Sequence, residues 1–122
     1  MLTKKSKSAI VKGIFTRNSP IYVQFALSKS CNLRCKMCGA VDARKNERNL
    51  NLEEIEQLSN VLDKMGVGVI ILTGGEPFLR QDLPEIIKIF AKKDFEVRLQ
   101  TNGLLATEEK VKDVIDAGLR DV

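Results

Sequence analysis

The residues best equipped for chemistry are Cys31, Cys35 and Cys38, the only cysteines in the chain. They fall within eight residues, spaced C-x-x-x-C-x-x-C, directly after a strand-like run. A lone cysteine is commonly a small core hydrophobe, but three on one polar stretch point to a metal site. Positive neighbours favour the thiolate, the form that ligates metal, and Arg34 and Lys36 flank Cys35. A closed structural zinc site takes four Cys or His ligands, and this chain has three Cys and no His. A four-iron cluster also ordinarily takes four thiolates. Three would leave one iron open to a further ligand, which is the logic of a catalytic metal site. A disulfide would strand one thiol. The absence of His also excludes His-based acid–base chemistry for this chain.

Two further motifs carry polar chemistry. Gly74-Gly75-Glu76-Pro77 ends an apolar run, and Thr101-Asn102-Gly103 ends another. Glycines let backbone approach a ligand closely, and an ionised Glu76 is a pure acceptor suited to an ammonium group. Both motifs also read as ordinary turn chemistry. Arg80 and Asp82 follow the first motif, as an exposed pair bracing that loop or as ligand contacts.

The elements that must position these residues are legible from periodicity. Residues 21–27 (IYVQFAL) alternate as a strand. Residues 51–65 form a helix, with Asn51 as N-cap, Glu54 as its capping-box partner, and Leu52, Ile55, Leu58, Val61, Leu62 and Met65 on one apolar face. Residues 67–73 (VGVIILT) are nearly all apolar, the pattern of a parallel strand covered on both faces. Asp82 opens the next helix with Glu85 completing its box, and Leu83, Ile86, Ile87, Phe90 and Ala91 face inward. Residues 95–101 (FEVRLQT) are a third strand. Thr107 caps a third helix in which Val111, Val114 and Ile115 face inward and which Gly118 stops. Residues 119–122 read as the start of a fourth strand. Part of residues 1–20 is helical, closed by a turn at Asn18, Ser19 and Pro20, and residues 39–50 read as an exposed loop. Alternating strands and helices joined by short connections imply right-handed βαβ units and a parallel sheet. In such sheets ligands bind at the carboxyl ends of the strands, where all three motifs lie.

At these residues the sequence resembles the radical S-adenosylmethionine (radical SAM) superfamily, from about Pro20 to the last residue. The spacing of Cys31, Cys35 and Cys38 matches the family's cluster motif. One departure is Met37, where the family usually has an aromatic residue. The resemblance implies the α/β fold of a partial (β/α)6 barrel, of which this chain covers the first half. It implies a [4Fe–4S] cluster held by the three cysteines and S-adenosylmethionine (SAM) bound to the open iron. By the same resemblance Gly74, Gly75 and Glu76 hold the amino group of SAM, Met37 covers its adenine, and Thr101 and Asn102 contact SAM or substrate. The Thr101-Asn102-Gly103 motif is similar to that of the branch containing molybdenum-cofactor cyclases and peptide-modifying enzymes. The implied activity is reductive cleavage of SAM to a 5′-deoxyadenosyl radical that abstracts hydrogen from a substrate. The implied partners are an electron donor such as flavodoxin or ferredoxin, and a substrate that is a peptide, a cofactor precursor or a nucleic acid. No other catalytic side chain is assigned. The alternative is a non-catalytic iron–sulfur or zinc module, or a truncated remnant acting with a partner.

Composition bounds the rest. The 122 residues suffice for one modest domain, 43% hydrophobic and 30% charged, as in ordinary globular proteins. Two parts are expected, a basic N-terminal segment over 1–20 and the core over 21–122. Residues 1–41 carry eight Lys or Arg and no Asp or Glu. That charge reads as a solvated leader, because no aromatic interleaving or nucleic-acid motif accompanies it. No apolar run reaches the length of a membrane span, and no signal segment opens the chain, so a cytoplasmic protein with reduced thiols is expected. A strand that stops as it starts reads as part of a longer protein, the rival being a short complete chain. If three thiolates hold the cluster, anaerobic reconstitution should load about four irons and four sulfides per chain. Cys35→Ala should lose both by iron and sulfide assay, whereas stoichiometric zinc without sulfide would rule the cluster out.

Overall fold

The computed structural model describes residues 2–16, 20–38 and 48–122. The turn expected at Asn18 and Ser19 and most of the loop expected over 39–50 lie outside the described residues. The elements run α1 (Lys4–Thr16), β1 (Tyr22–Ala26), α2 (Leu52–Lys64), β2 (Val69–Thr73), a 3-10 turn (Pro77–Leu79), α3 (Leu83–Ala91), β3 (Glu96–Leu99) and α4 (Glu108–Asp116). The three strands form one parallel sheet in the order β1-β2-β3. The expected start of a fourth strand is present as a parallel bridge between Arg98 and Asp121 beside β3. The alternating α/β architecture is thus the one the pattern implied.

Local chemistry sets the helix ends. Asn51 accepts from the Glu54 amide, and the Glu54 side chain accepts from the Asn51 amide, so the capping box of α2 forms. Thr107 caps α4 by accepting from Lys110. Gly118 leaves α4 at φ 111°, a left-handed conformation that glycine adopts without strain. At α3 the expected box is absent. Asp82 makes no side-chain cap, because the Arg80 guanidinium takes both its carboxylate oxygens, Nε to Oδ1 at 2.9 Å and Nη2 to Oδ2 at 2.7 Å. Nor is that pair exposed: the Arg80 side chain is 10% accessible. Its remaining donors reach the Leu27 carbonyl at 3.2 Å and the Leu50 carbonyl at 3.0 Å. Arg80 thereby ties the end of β1, the approach to α2 and the entry to α3 together.

The core is built from Ile70 and Leu72 of β2, Val97 and Leu99 of β3, Ile55 and Leu62 of α2, and Leu83, Ile86, Ile87 and Phe90 of α3. Phe90 is fully buried and meets Phe25 and Phe95 edge-on, with centroids at 6.4 and 5.8 Å, the arrangement aromatic quadrupoles favour. Two expectations about burial are corrected. Strand β2 is not covered on both faces: Ile70 and Leu72 are buried, but Val69, Ile71 and Thr73 are half-exposed. The apolar stripes are wider than the faces they bury, for Leu52, Val61 and Met65 of α2 and Ile115 of α4 stay exposed. Both follow from helices packing against only one face of three strands. Helix α1 docks separately: the Thr3 hydroxyl donates to the Asp94 carbonyl at 3.0 Å, Lys5 pairs with Asp63, and its ammonium lies 3.5 Å from the Phe95 ring centroid.

The Asp82 carboxyl is held below its usual range by the hydrogen bond from Arg80, against a smaller opposing effect of burial. A depressed folded-state pKa adds stability that is present above the unfolded value, about 3.9, and lost as pH falls through the folded one. Urea midpoints of the wild type should therefore fall more steeply in acid, below about pH 4, than those of Asp82→Asn. Parallel curves would show that the pair does not contribute.

Candidate functional site

Because the strands are parallel, the segments that follow them emerge at one edge. The central loop, after β2, is wedged against the lead-in to the cysteines. The Gly75 amide donates to the Ser28 carbonyl at 2.7 Å and the Glu76 amide to the Ser30 carbonyl at 2.8 Å. The two chains touch backbone to backbone. A Cβ on Gly74 would sit 2.4 Å from the Ser28 carbonyl oxygen, and one on Gly75 would sit 1.9 Å from that of Ser30. Gly74 also has φ 135°. The glycines are therefore required by contact with the cysteine segment, over and above any approach to a ligand.

Glu76 is fully buried. Its Oε1 accepts from the Phe78 amide at 3.0 Å and from the Thr101 hydroxyl at 2.7 Å, and its Oε2 accepts from the Asn102 amide at 2.9 Å. A carboxylate has about four lone-pair sites, and three are used inside the protein. The side chain read as an ammonium acceptor thus binds its own 3-10 turn and the loop after β3. Thr101 completes the inward set by accepting from the Gly103 amide at 3.0 Å.

Asn102 reaches across to the cysteines. Its Oδ1 accepts from the Leu104 amide at 3.0 Å, so its Nδ2 faces the other way. There it donates to Asn32 Oδ1 at 2.8 Å and lies 3.9 Å from Cys31 Sγ. Cys31 also accepts from the Leu33 amide at 3.4 Å. Cys31 is half-buried, Cys35 and Cys38 are exposed, and none forms a disulfide. The Cys38 amide donates to the Cys35 carbonyl at 3.1 Å, placing those two on one turn. Met37 stands 94% exposed beside them. Among the described residues no three His, Cys, Asp or Glu side chains converge as a metal cage. The donor chemistry nonetheless fits a thiolate-held cluster: three free thiols on one loop, a backbone N–H already bonded to one sulfur, and no imidazole. Ser28, Ser30 and Asn32, which join the loops, carried no distinguishing signal in the sequence, since their roles depend on backbone carbonyls and on a partner 70 residues away. A cavity of about 510 Å³ lies elsewhere, between Phe78, Leu83 and the α4 residues Lys110 and Val114.

One edge of a parallel α/β sheet thus ties the cysteine loop, the glycine turn and the Thr-Asn turn together by hydrogen bonds. Residues 26–122 match the radical SAM superfamily, and the chain belongs to that superfamily. It is 37% identical over 106 residues to the GTP 3′,8-cyclase of Aquifex aeolicus, covering 82% of this chain and 33% of that one. It is 32% identical over 118 residues to the Fe-coproporphyrin III synthase of Methanosarcina barkeri, covering 96% of this chain and 29% of that one. The fold is similar to Streptococcus suis SuiB solved with S-adenosylmethionine, at TM-score 0.70 and 18% identity over 88% of this chain and 25% of that one. The chain spans about a third of the length of the curated relatives it matches.

Removing Glu76 leaves buried donors without partners, at about 1–3 kcal/mol for each that water does not reach. Glu76→Ala should lower unfolding stability by more than Glu76→Gln, which keeps one carbonyl acceptor. Urea denaturation measures both, and a Glu76→Ala midpoint equal to wild type would show that the carboxylate does not hold the loops.

Proposed function

We propose that this chain carries the cluster- and SAM-binding part of a radical SAM enzyme, with the core over residues 21–122 and the basic segment 1–20 as an addition to it. The observation that carries the reading is the hydrogen-bonded union of the cysteine, Gly-Gly-Glu-Pro and Thr-Asn-Gly segments at one sheet edge. Cys31, Cys35 and Cys38 hold a [4Fe–4S] cluster. When bound, the cluster and SAM supply reductive cleavage to methionine and a 5′-deoxyadenosyl radical, the species that takes hydrogen from a substrate.

The protein's own part is to bind and orient. The Gly75 and Glu76 amides are committed to Ser28 and Ser30, so the glycine turn offers a ligand carbonyl oxygens, acceptors suited to the amino group of SAM. Glu76 serves that group by holding the turn in shape, since its oxygens are buried among internal donors. Thr101 and Asn102 sit on the same side and close the turn against the cysteine loop. Met37, exposed and soft, is free to lie on the adenine face. An electron donor of the flavodoxin or ferredoxin kind reduces the cluster. The GTP 3′,8-cyclase relatives and the SuiB structure with its precursor peptide SuiA support a nucleotide-derived cofactor precursor or a peptide as substrate class. No helix is long and apolar enough to cross a membrane among the described residues, and the proposed setting is the cytoplasm.

Anaerobically reconstituted protein, reduced with dithionite, should give an electron paramagnetic resonance signal that SAM alters. Cys38→Ala should abolish the signal. A reduced cluster whose signal is indifferent to saturating SAM would overturn the SAM site while leaving the cluster.

A further inference from the structure

The side chain of Asn102 is fixed by what surrounds it. Its backbone amide is held by Glu76 Oε2 at 2.9 Å, and its Oδ1 is taken by the Leu104 amide at 3.0 Å. The amide orientation is then determined, because the end that accepts from a backbone N–H is the oxygen. The NH2 group must project toward the cysteine loop, where it finds Asn32 Oδ1 at 2.8 Å and Cys31 Sγ at 3.9 Å. Asn32 immediately follows Cys31, so the bond to Asn32 also fixes the backbone on which Cys31 sits. We infer that Asn102 is a positioning residue for Cys31: it seats the first cysteine through Asn32 and directs an N–H donor at the Cys31 sulfur. This rests on the cluster assignment above, and it gives Asn102 a role toward the protein's own thiolate in place of a contact with SAM or substrate.

The chemical consequence is electrostatic. An N–H dipole aimed at a ligating sulfur stabilises the more negatively charged, reduced cluster, so it raises the reduction potential. The same contact holds one ligand still before metal arrives, which lowers the ordering cost of loading. Cys35 and Cys38 receive no side-chain donor among the described residues, so the effect falls on one of the three thiolates.

Asn102→Ser is the informative variant. A serine hydroxyl at this position keeps a neutral acceptor able to take the amide two residues on, but it is too short to reach Asn32. Hydrogen exchange on the metal-free chain should show faster exchange of the Leu33 amide and its neighbours in residues 31–35, while the Gly75 and Glu76 amides keep their protection. A merely local role in the 101–104 turn would leave residues 31–35 unchanged, and that result would overturn the inference. On the cluster-loaded protein, Asn102→Ser and Asn102→Ala should both shift the reduction potential to more negative values at wild-type iron and sulfide content. Equal potentials in loaded wild type and variant would overturn it as well. If the wild type loads no cluster, the functional reading fails, and the exchange measurement still decides whether Asn102 seats Cys31.

Discussion

A carboxylate with no access to water governs this structure. Isolating an ionised group from water costs several kcal/mol unless the protein replaces its hydration with donors. Glu76 meets that requirement with an amide from its own turn, a hydroxyl from Thr101 and an amide from Asn102. Each donor belongs to a segment that would otherwise be a surface loop. Satisfying the charge therefore means bringing the ends of β2 and β3 to one arrangement. The loops are held by these hydrogen bonds to a buried carboxylate together with the packing of Leu27, Phe78 and Leu99 into the core.

The second constraint is steric. The glycine turn and the cysteine lead-in are in backbone contact, with no room for a Cβ at Gly74 or Gly75. Amides from the turn feed carbonyls of Ser28 and Ser30, so the cysteine loop starts from a fixed platform. Arg80 adds a third tie from below, binding the Leu27 carbonyl where β1 ends. Beyond the platform the loop is exposed, and Cys35, Met37 and Cys38 face outward. A fixed base and an exposed tip suit the proposed cluster, which the loop would hold while leaving one side accessible.

The sheet explains why these parts meet at all. Parallel strands in the order β1-β2-β3 deliver their carboxyl ends side by side, and the central strand carries the turn that touches both neighbours. Asn102, in the loop after β3, reaches past that turn to Asn32 after β1. The face of the sheet away from the core stays half-open, with Tyr22 and Gln24 exposed on β1, as a strand layer covered on one side must be.

Periodicity and motif spacing determined a good deal alone. Strand and helix alternation, the caps at Asn51 and Thr107, the parallel pairing and the superfamily all follow from local patterns, because alternation, capping and cysteine spacing act over a few residues. Long-range competition decided the remainder. Asp82 was a legible N-cap, but its carboxylate goes to Arg80, which offers two charge-assisted bonds. Apolar stripes on α2 and α4 were legible, but how much of each is buried depends on how many neighbours the fold supplies. The Gly-Gly pair and Glu76 were legible as candidate ligand groups, but a sequence displays donors and acceptors without their partners inside the protein. Only the tertiary structure could show that the glycines meet Ser28 and Ser30, that Glu76 meets Thr101 and Asn102, and that Asn102 meets Asn32, since each pairing joins residues that are neighbours solely because three parallel strands end together.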